Sequence, residues 1–179
     1  MAHSEQFEFV DKIRYFFPSY FENVNVLEVG SAYINGTVRD FFKNCGYVGI
    51  DIAPANCVDI VCEGSLYDAP DNFFDIVISC ECFEHNRLWR ETFQNMYRMC
   101  KSEGMILLTC ASTGRPEHGT KKTNPDRSLT SNYRGWEDYY QNLTEDDFLN
   151  NFKIKDMFKI FKFKYNPISC DLYFFGIKW

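Results

Sequence analysis

The sequence has no Cys-x-x-Cys pair, no internal repeat, no low-complexity stretch and no apolar run of the length that spans a bilayer. Without paired cysteines, and with six of the eight (Cys45, Cys62, Cys80, Cys82, Cys100, Cys110) beside or within apolar runs, reduced buried thiols are expected and not a disulfide framework. The opening Met-Ala-His-Ser-Glu-Gln-Phe-Glu has neither the basic end nor the apolar stretch of a secretory signal, so a cytoplasmic protein without a membrane segment is expected. Histidine is scarce, at three residues, which leaves few side chains that exchange protons near neutral pH. Positive charge is also in deficit: 19 Lys+Arg against 25 Asp+Glu give a formal charge of -6. That balance repels polyphosphate and anionic lipid over most of the surface, so nucleic acid is not an expected partner. What is present is apolar material. Hydrophobic residues make up 45% of 179, with 18 Phe, 11 Tyr and 3 Trp, enough to fill a core and to exclude disorder. The length suits one domain over residues 1–179.

Residues 5–17 place apolar groups at helical spacing and stop at Pro18, which predicts a leading helix within residues 1–20. Short runs rich in Val and Ile follow at 24–29, 47–50, 58–61 and 76–79, each bounded by turn residues, as strands buried on both faces read. TVRDFFKNCG predicts a helix between the first two, and RLWRETFQNMYRMC another before a fifth strand, MILLT at 105–109. The alternation predicts a parallel sheet with helices on its faces. Residues 111–142 carry no periodicity and read as a functional loop. LTEDDFLNNF then predicts a helix capped by Thr144, and residues 152–165 and 171–179, parted by Asn166-Pro167, predict an antiparallel hairpin. Lysines alternate with aromatics over 152–165; such a stripe either contacts RNA or, more simply, is an outer strand with solvated lysines.

VNVLEVGSAYINGT is the most informative segment. A strand delivers Gly30, a short loop reaches Gly36, and glycine lets backbone come close to a ligand. The two glycines alternatively do no more than shape a tight turn. The second strand ends in Asp51, 21 residues after Gly30, where nucleotide-binding sheets hold a carboxylate against ribose hydroxyls; a turn cap before Pro54 is the plainer alternative. Glu28 is a carboxylate inside an apolar strand, costly unless it meets a donor or a cation, and would suit a ligand bearing an ammonium group.

With VLEVGS at 26–31, YVGIDI at 47–52 and PDNFFDIVISCECFEH at 70–85, followed by a helix and GMILLT, the chain resembles the class I S-adenosylmethionine-dependent methyltransferases, in particular their small type 11 branch. The likeness covers about residues 24–110, the expected cofactor-binding core; GRPEHGT at 114–120 and YYQNLTEDDF at 139–148 resemble one bacterial subgroup. It implies an α/β, Rossmann-like seven-stranded mixed sheet, five parallel strands plus a C-terminal antiparallel hairpin in the order 3-2-1-4-5-7-6, flanked by helices. It also implies S-adenosylmethionine as cofactor and transfer of its methyl group to a small-molecule or saccharide-type acceptor. Gly30, Ser31 and Ala32, with Gly36 closing the loop, would pass along the methionine part, and Glu28 would support its amino group. Asp51 would hold the ribose, Ile52 would cover one adenine face, Glu63, Gly64, Ser65 and Leu66 would edge the base, and the Cys80 backbone would lie near the ammonium. The family's second glycine is Ala32 here, and Glu63 stands where many members have Asp.

Methyl transfer from a sulfonium needs positioning above all, and a base only for some acceptors. His118 in the long loop is the first candidate base and His85 the second, each with a purely structural alternative. His3 lies at the start of the chain. Cys80-x-Cys82-x-x-His85 offers three soft ligands but no fourth at zinc spacing, so no metal is expected. Residues 111–142, leaving the carboxyl end of the fifth strand, should hold the acceptor, with Arg115, Lys121, Lys122, Arg127 and Arg134 for an anion and Tyr133, Trp136, Tyr139 and Tyr140 for a ring, or as pins for a lid. Two other classes stay open: a nicotinamide-dependent oxidoreductase, against which stands the absence of G-x-G-x-x-G, and a binding module without transfer activity.

Overall fold

The computed structural model describes residues 3–179. Seven strands, β1 (Asn25–Val29), β2 (Gly46–Asp51), β3 (Ile60–Val61), β4 (Phe74–Cys80), β5 (Cys100–Ala111), β6 (Phe158–Asn166) and β7 (Asp171–Lys178), form one sheet in the order β3-β2-β1-β4-β5-β7-β6. The first five run parallel, and β7 pairs antiparallel with both β5 and β6. The expected mixed sheet and its strand order are the observed ones.

The runs of Val, Ile and Leu divide by twos between the two faces. Val26, Ile76, Ile78, Met105 and Leu107 bury against α1 (Ser4–Phe16), through its Val10 and Ile13. Their neighbours Leu27, Val77, Ile106 and Leu108 bury on the other face against α2 (Trp89–Met99), whose Phe93 and Met96 point inward. Phe148 and Phe152 around α3 (Glu145–Asn151), together with Phe158 and Phe174, close that face. Phe93 lies 4.8 Å from Phe152 and 5.3 Å from Phe148, centroid to centroid, so aromatic packing joins the tail to the central sheet. The α3 start carries its cap: the Asp147 carboxylate accepts from the Thr144 N–H at 2.8 Å.

Four local readings change. The helix expected over TVRDFFKNCG is a single 3-10 turn, Val38–Phe41: Thr37 caps it, then Phe42 turns extended to stack on Phe21 at 4.8 Å and Asn44 takes a left-handed φ of 53°. β3 is two exposed residues at the sheet edge. β5 begins at Cys100, not Met105. The hairpin's first strand begins at Phe158, after the short helix α4 (Ile154–Met157). β6 is the other edge; its Lys162 and Lys164 are exposed while Phe163 packs on Phe174 at 4.6 Å, the lysine-guarded outer strand. Among the described residues no helix is long and apolar enough to cross a membrane.

Candidate functional site

The carboxyl ends of β1, β2 and β4 open onto one cavity of about 850 Å3, open mouth included. Its floor is the turn after β1. Gly30 (φ 80°) and Ser31 both donate their N–H to Ile50 O, at 2.9 and 3.1 Å, which ties the turn to β2. A Cβ on Gly30 would lie 2.5 Å from Cys82 Cβ, so the approach of the β1 and β4 loops demands glycine here. The buried Ser31 hydroxyl has no hydrogen-bond partner among the described residues.

Asp51 ends β2 with both carboxylate oxygens engaged, one by Ala32 N–H at 3.0 Å and the other by Ile52 N–H at 2.8 Å. Burial raises its pKa against the pull of these two donors. Each oxygen keeps a second lone pair, so the carboxylate can still accept from a diol. Alanine at 32 therefore serves through its backbone, which fastens the loop to the carboxylate.

Glu28 is 4% exposed and receives the Tyr47 hydroxyl at 2.8 Å. Burial pushes its pKa up to about 8, which the Tyr47 hydrogen bond and the nearby Arg39 only partly offset. Arg39 in turn stacks over the Tyr47 ring at 4.4 Å and pairs with Asp59 at 2.6 Å. Glu28 is thus a buried and poorly compensated acid that lines the cavity.

The loop 111–142 folds over the opening, and Arg127, Ser128, Leu129, Thr130 and Trp136 line the cavity from above. Gln141 N–H donates to Glu84 O at 2.9 Å and the Tyr133 hydroxyl to Glu63 Oε1 at 2.8 Å, pinning the second half of the loop to the body. At this end three rings meet: His85 and His118 lie 5.1 Å apart, and Tyr140 is 5.4 and 5.1 Å from them. Burial drives the His85 pKa down to about 3 and lowers that of His118. Glu84, with no exposed surface, is raised by burial.

Of the residues named from sequence, Glu28, Gly30, Ser31, Ala32, Gly36, Asp51, Ile52, Gly64, Cys80 and His85 line the cavity. Glu63, Ser65 and Leu66 do not: Glu63 is turned to Tyr133 and Leu66 is 69% exposed. His118 stands behind His85. The loop cations do not converge as a set. Arg115 donates to Ser169 O at 2.6 Å and approaches Asp171 at 3.4 Å, and Lys122 pairs with Asp138 at the surface. Sequence reasoning missed Gln6, Glu81 and Cys82, which also line the cavity. Gln6, fully buried on the inner face of α1, was legible as a polar break in an apolar stripe. A Tyr-x-x-x-Lys spacing, the hydride-site mark of some oxidoreductases, occurs at Tyr97 and Lys101. Both side chains work elsewhere, Tyr97 on Met157 O at 3.2 Å and Lys101 on Asp75 at 2.6 Å. Cys80, Cys82 and His85 do not assemble as one ligand set; among the described residues the clustered groups are Glu84, His85, His118 and His3, Glu81, Asp171.

Residues 27–108 match the family model described as "Methyltransferase domain". No curated protein sequence matches the chain. Among solved structures, phosphoethanolamine N-methyltransferase 2 of Haemonchus contortus, in complex with phosphomonomethylethanolamine and S-adenosylhomocysteine, superposes with a TM-score of 0.63 at 15% identity over 96% of this chain. The chain spans about half of that enzyme's length, 52%. The 1,6-didemethyltoxoflavin-N1-methyltransferase of Burkholderia thailandensis, with its substrate and S-adenosylhomocysteine bound, gives 0.60 at 11% identity, covering 99% of this chain and 92% of its own. The YcgJ protein of Bacillus subtilis gives 0.65 at 13% identity, covering 98% and 99%. At these identities the likeness is one of fold: the sheet is that of the Rossmann-like methyltransferases.

Proposed function

We propose that this chain, with a methyltransferase-domain segment at 27–108 set in a methyltransferase sheet, binds S-adenosylmethionine in the cavity at Gly30 and transfers its methyl group to a small-molecule acceptor. The observation that carries the reading is that one cavity is lined by a glycine turn, the Asp51 carboxylate and the buried Glu28 carboxylate. These fit the three polar parts of the cofactor: backbone for the methionine stem, Asp51 for the ribose diol, and Glu28 for the ammonium. Ile52 would cover the purine. Residues 24–110 would then be the cofactor core, 111–142 the acceptor segment and 143–179 the helix and hairpin that complete a single domain.

When bound, the sulfonium supplies a methyl group already activated by positive charge. The chain's part is to hold and to enclose. Asp51, fixed by two backbone donors, sets the register of the nucleoside without reorganising. Trp136 and the 127–130 turn cover the opening and exclude water. The acceptor would enter beneath the loop at the His85 end.

Asp51→Ala should weaken donor affinity by about 1–3 kcal/mol, roughly 5- to 150-fold, because a buried diol loses its acceptor and Ala32 loses its tether. Calorimetric titration with S-adenosylhomocysteine reads this, and unchanged affinity in a folded variant removes Asp51 from the site. A screen of small hydroxylated and amine acceptors with methyl-labelled donor tests the reaction. Label transfer by the wild type, reduced in Asp51→Ala, is expected; donor binding with no transfer across the screen would leave a binding module.

A further inference from the structure

We infer that Glu84, His85 and His118 form a binding site for a divalent first-row transition-metal ion at the acceptor end of the cavity. Buried polar groups are almost always hydrogen-bonded, and an ionisable one left bare is costly. Here three such side chains converge. Among the described residues, fully buried Glu84 has no hydrogen-bond partner for either carboxylate oxygen, His85 (3% exposed) has none for either ring nitrogen, and His118 (7% exposed) has none for Nε2.

The geometry between them is that of ligands awaiting an ion. His85 Nε2 lies 3.9 Å and His118 Nε2 4.0 Å from the same oxygen of Glu84, Oε1. These separations are too long for direct hydrogen bonds. They exceed the edge of a tetrahedron of about 2.1 Å bonds, roughly 3.4 Å, by only about half an ångström. One ligand atom from each residue falls within 4.8 Å of the others. The His118 tautomer also fits: Nδ1 sits 3.0 Å from Pro116 O, a group that can only accept, so Nδ1 carries the hydrogen and Nε2 presents its lone pair to the cluster. Metal-bound histidines are commonly oriented by such a bond to a backbone carbonyl. Gly119, with φ 66°, closes over the other ring; a Cβ there would lie 2.6 Å from His85 Cε1, so the backbone next to His118 fixes His85 in place.

Two imidazoles and one carboxylate suit zinc, cobalt or ferrous iron better than magnesium or calcium. Three protein ligands leave open positions, and His85, which lines the cavity, places the site at its acceptor end. An acceptor oxygen bound there would lose its proton at a lower pH. That consequence rests on the methyltransferase reading, whereas ion binding does not.

The test uses the untagged full chain, freed of metal by dialysis against a chelator and titrated with Co2+. The expected result is one equivalent bound, with visible d–d absorption. Glu84→Gln and His118→Ala should each weaken uptake by about tenfold or more. Acetohydroxamate should shift the absorption bands through the open positions. Circular dichroism serves as the fold control, and failure of folded protein to bind S-adenosylhomocysteine would count against the cofactor reading and leave the ion site standing. If a variant does not fold, nitrogen-15 spectra of the wild-type imidazoles replace it, with His85 and His118 signals moving on addition of Zn2+. No saturable uptake by the folded wild type, uptake unchanged in folded variants, or imidazole signals indifferent to Zn2+ would overturn the site.

Discussion

Gly30→Ala should lower stability by about 2–5 kcal/mol and abolish tight donor binding. Two costs combine. The backbone at Gly30 has φ 80°, where a side chain adds about 1–2 kcal/mol of strain. The new methyl would meet Cys82 Cβ at 2.5 Å and Sγ at 2.6 Å, and relieving such overpacking costs about 1–3 kcal/mol more. The neighbour cannot swing aside, because the contact is with its first side-chain carbon. Gly30 N–H also anchors the loop to Ile50 O, so any shift moves Ser31 and Ala32 away from Asp51. Urea denaturation measures the loss. In the double variant Gly30→Ala/Cys82→Gly the collision is removed and the strain remains, so roughly half of the lost stability should return. A single variant as stable as the wild type would mean that the turn is not the tight junction described.

The second large effect is electrostatic. Glu28, with a folded pKa of about 8 against 4.5 for an ordinary glutamate, holds its proton more tightly in the folded chain than in the unfolded one. Between those two values the unfolded state is deprotonated first, so this residue's contribution to stability falls as pH rises from about 4.5 to about 8 and is flat above. The full span is about 5 kcal/mol at most. Glu28→Gln keeps an oxygen for the Tyr47 hydroxyl but has no charge to bury. It should match the wild type near pH 5, exceed it by one to several kcal/mol near pH 9, and show a flatter stability profile between. A ligand ammonium beside Glu28 would favour the ionised form, so donor binding below pH 8 should release protons. Calorimetry in two buffers of different ionisation heat detects this, and identical apparent enthalpies would remove Glu28 from contact with the ligand.

The sheet was legible because its cause is local: each central strand is a short run of branched residues bounded by turn residues, and every second side chain belongs to the same face. The strand order needed the family likeness, since periodicity says nothing about which strands are neighbours. Where local reading failed, a distant partner decided. The 37–46 segment has a helical pattern, yet Phe42 finds Phe21 and the chain leaves the helix after one turn. Glu63 reads as a residue beside the base, and its partner proves to be Tyr133, 70 positions on. The cavity floor was visible in VLEVGS and Asp51 because glycine and carboxylate are unusual after apolar strands. The Glu84, His85 and His118 cluster was not, because it forms only when the 111–142 loop folds back. The one available hint was a pair of carboxylates, Glu81 and Glu84, within a segment apolar enough to be buried.

The central claim is that the Gly30 and Asp51 cavity seats a sulfonium nucleoside. Calorimetric titration of the purified chain with S-adenosylmethionine, S-adenosylhomocysteine and NAD tests it most directly. The account predicts one equivalent of each of the first two, with affinity lost in Asp51→Ala, and no saturable heat from NAD. Saturable binding of NAD by folded protein that is silent toward both sulfur nucleosides would contradict it.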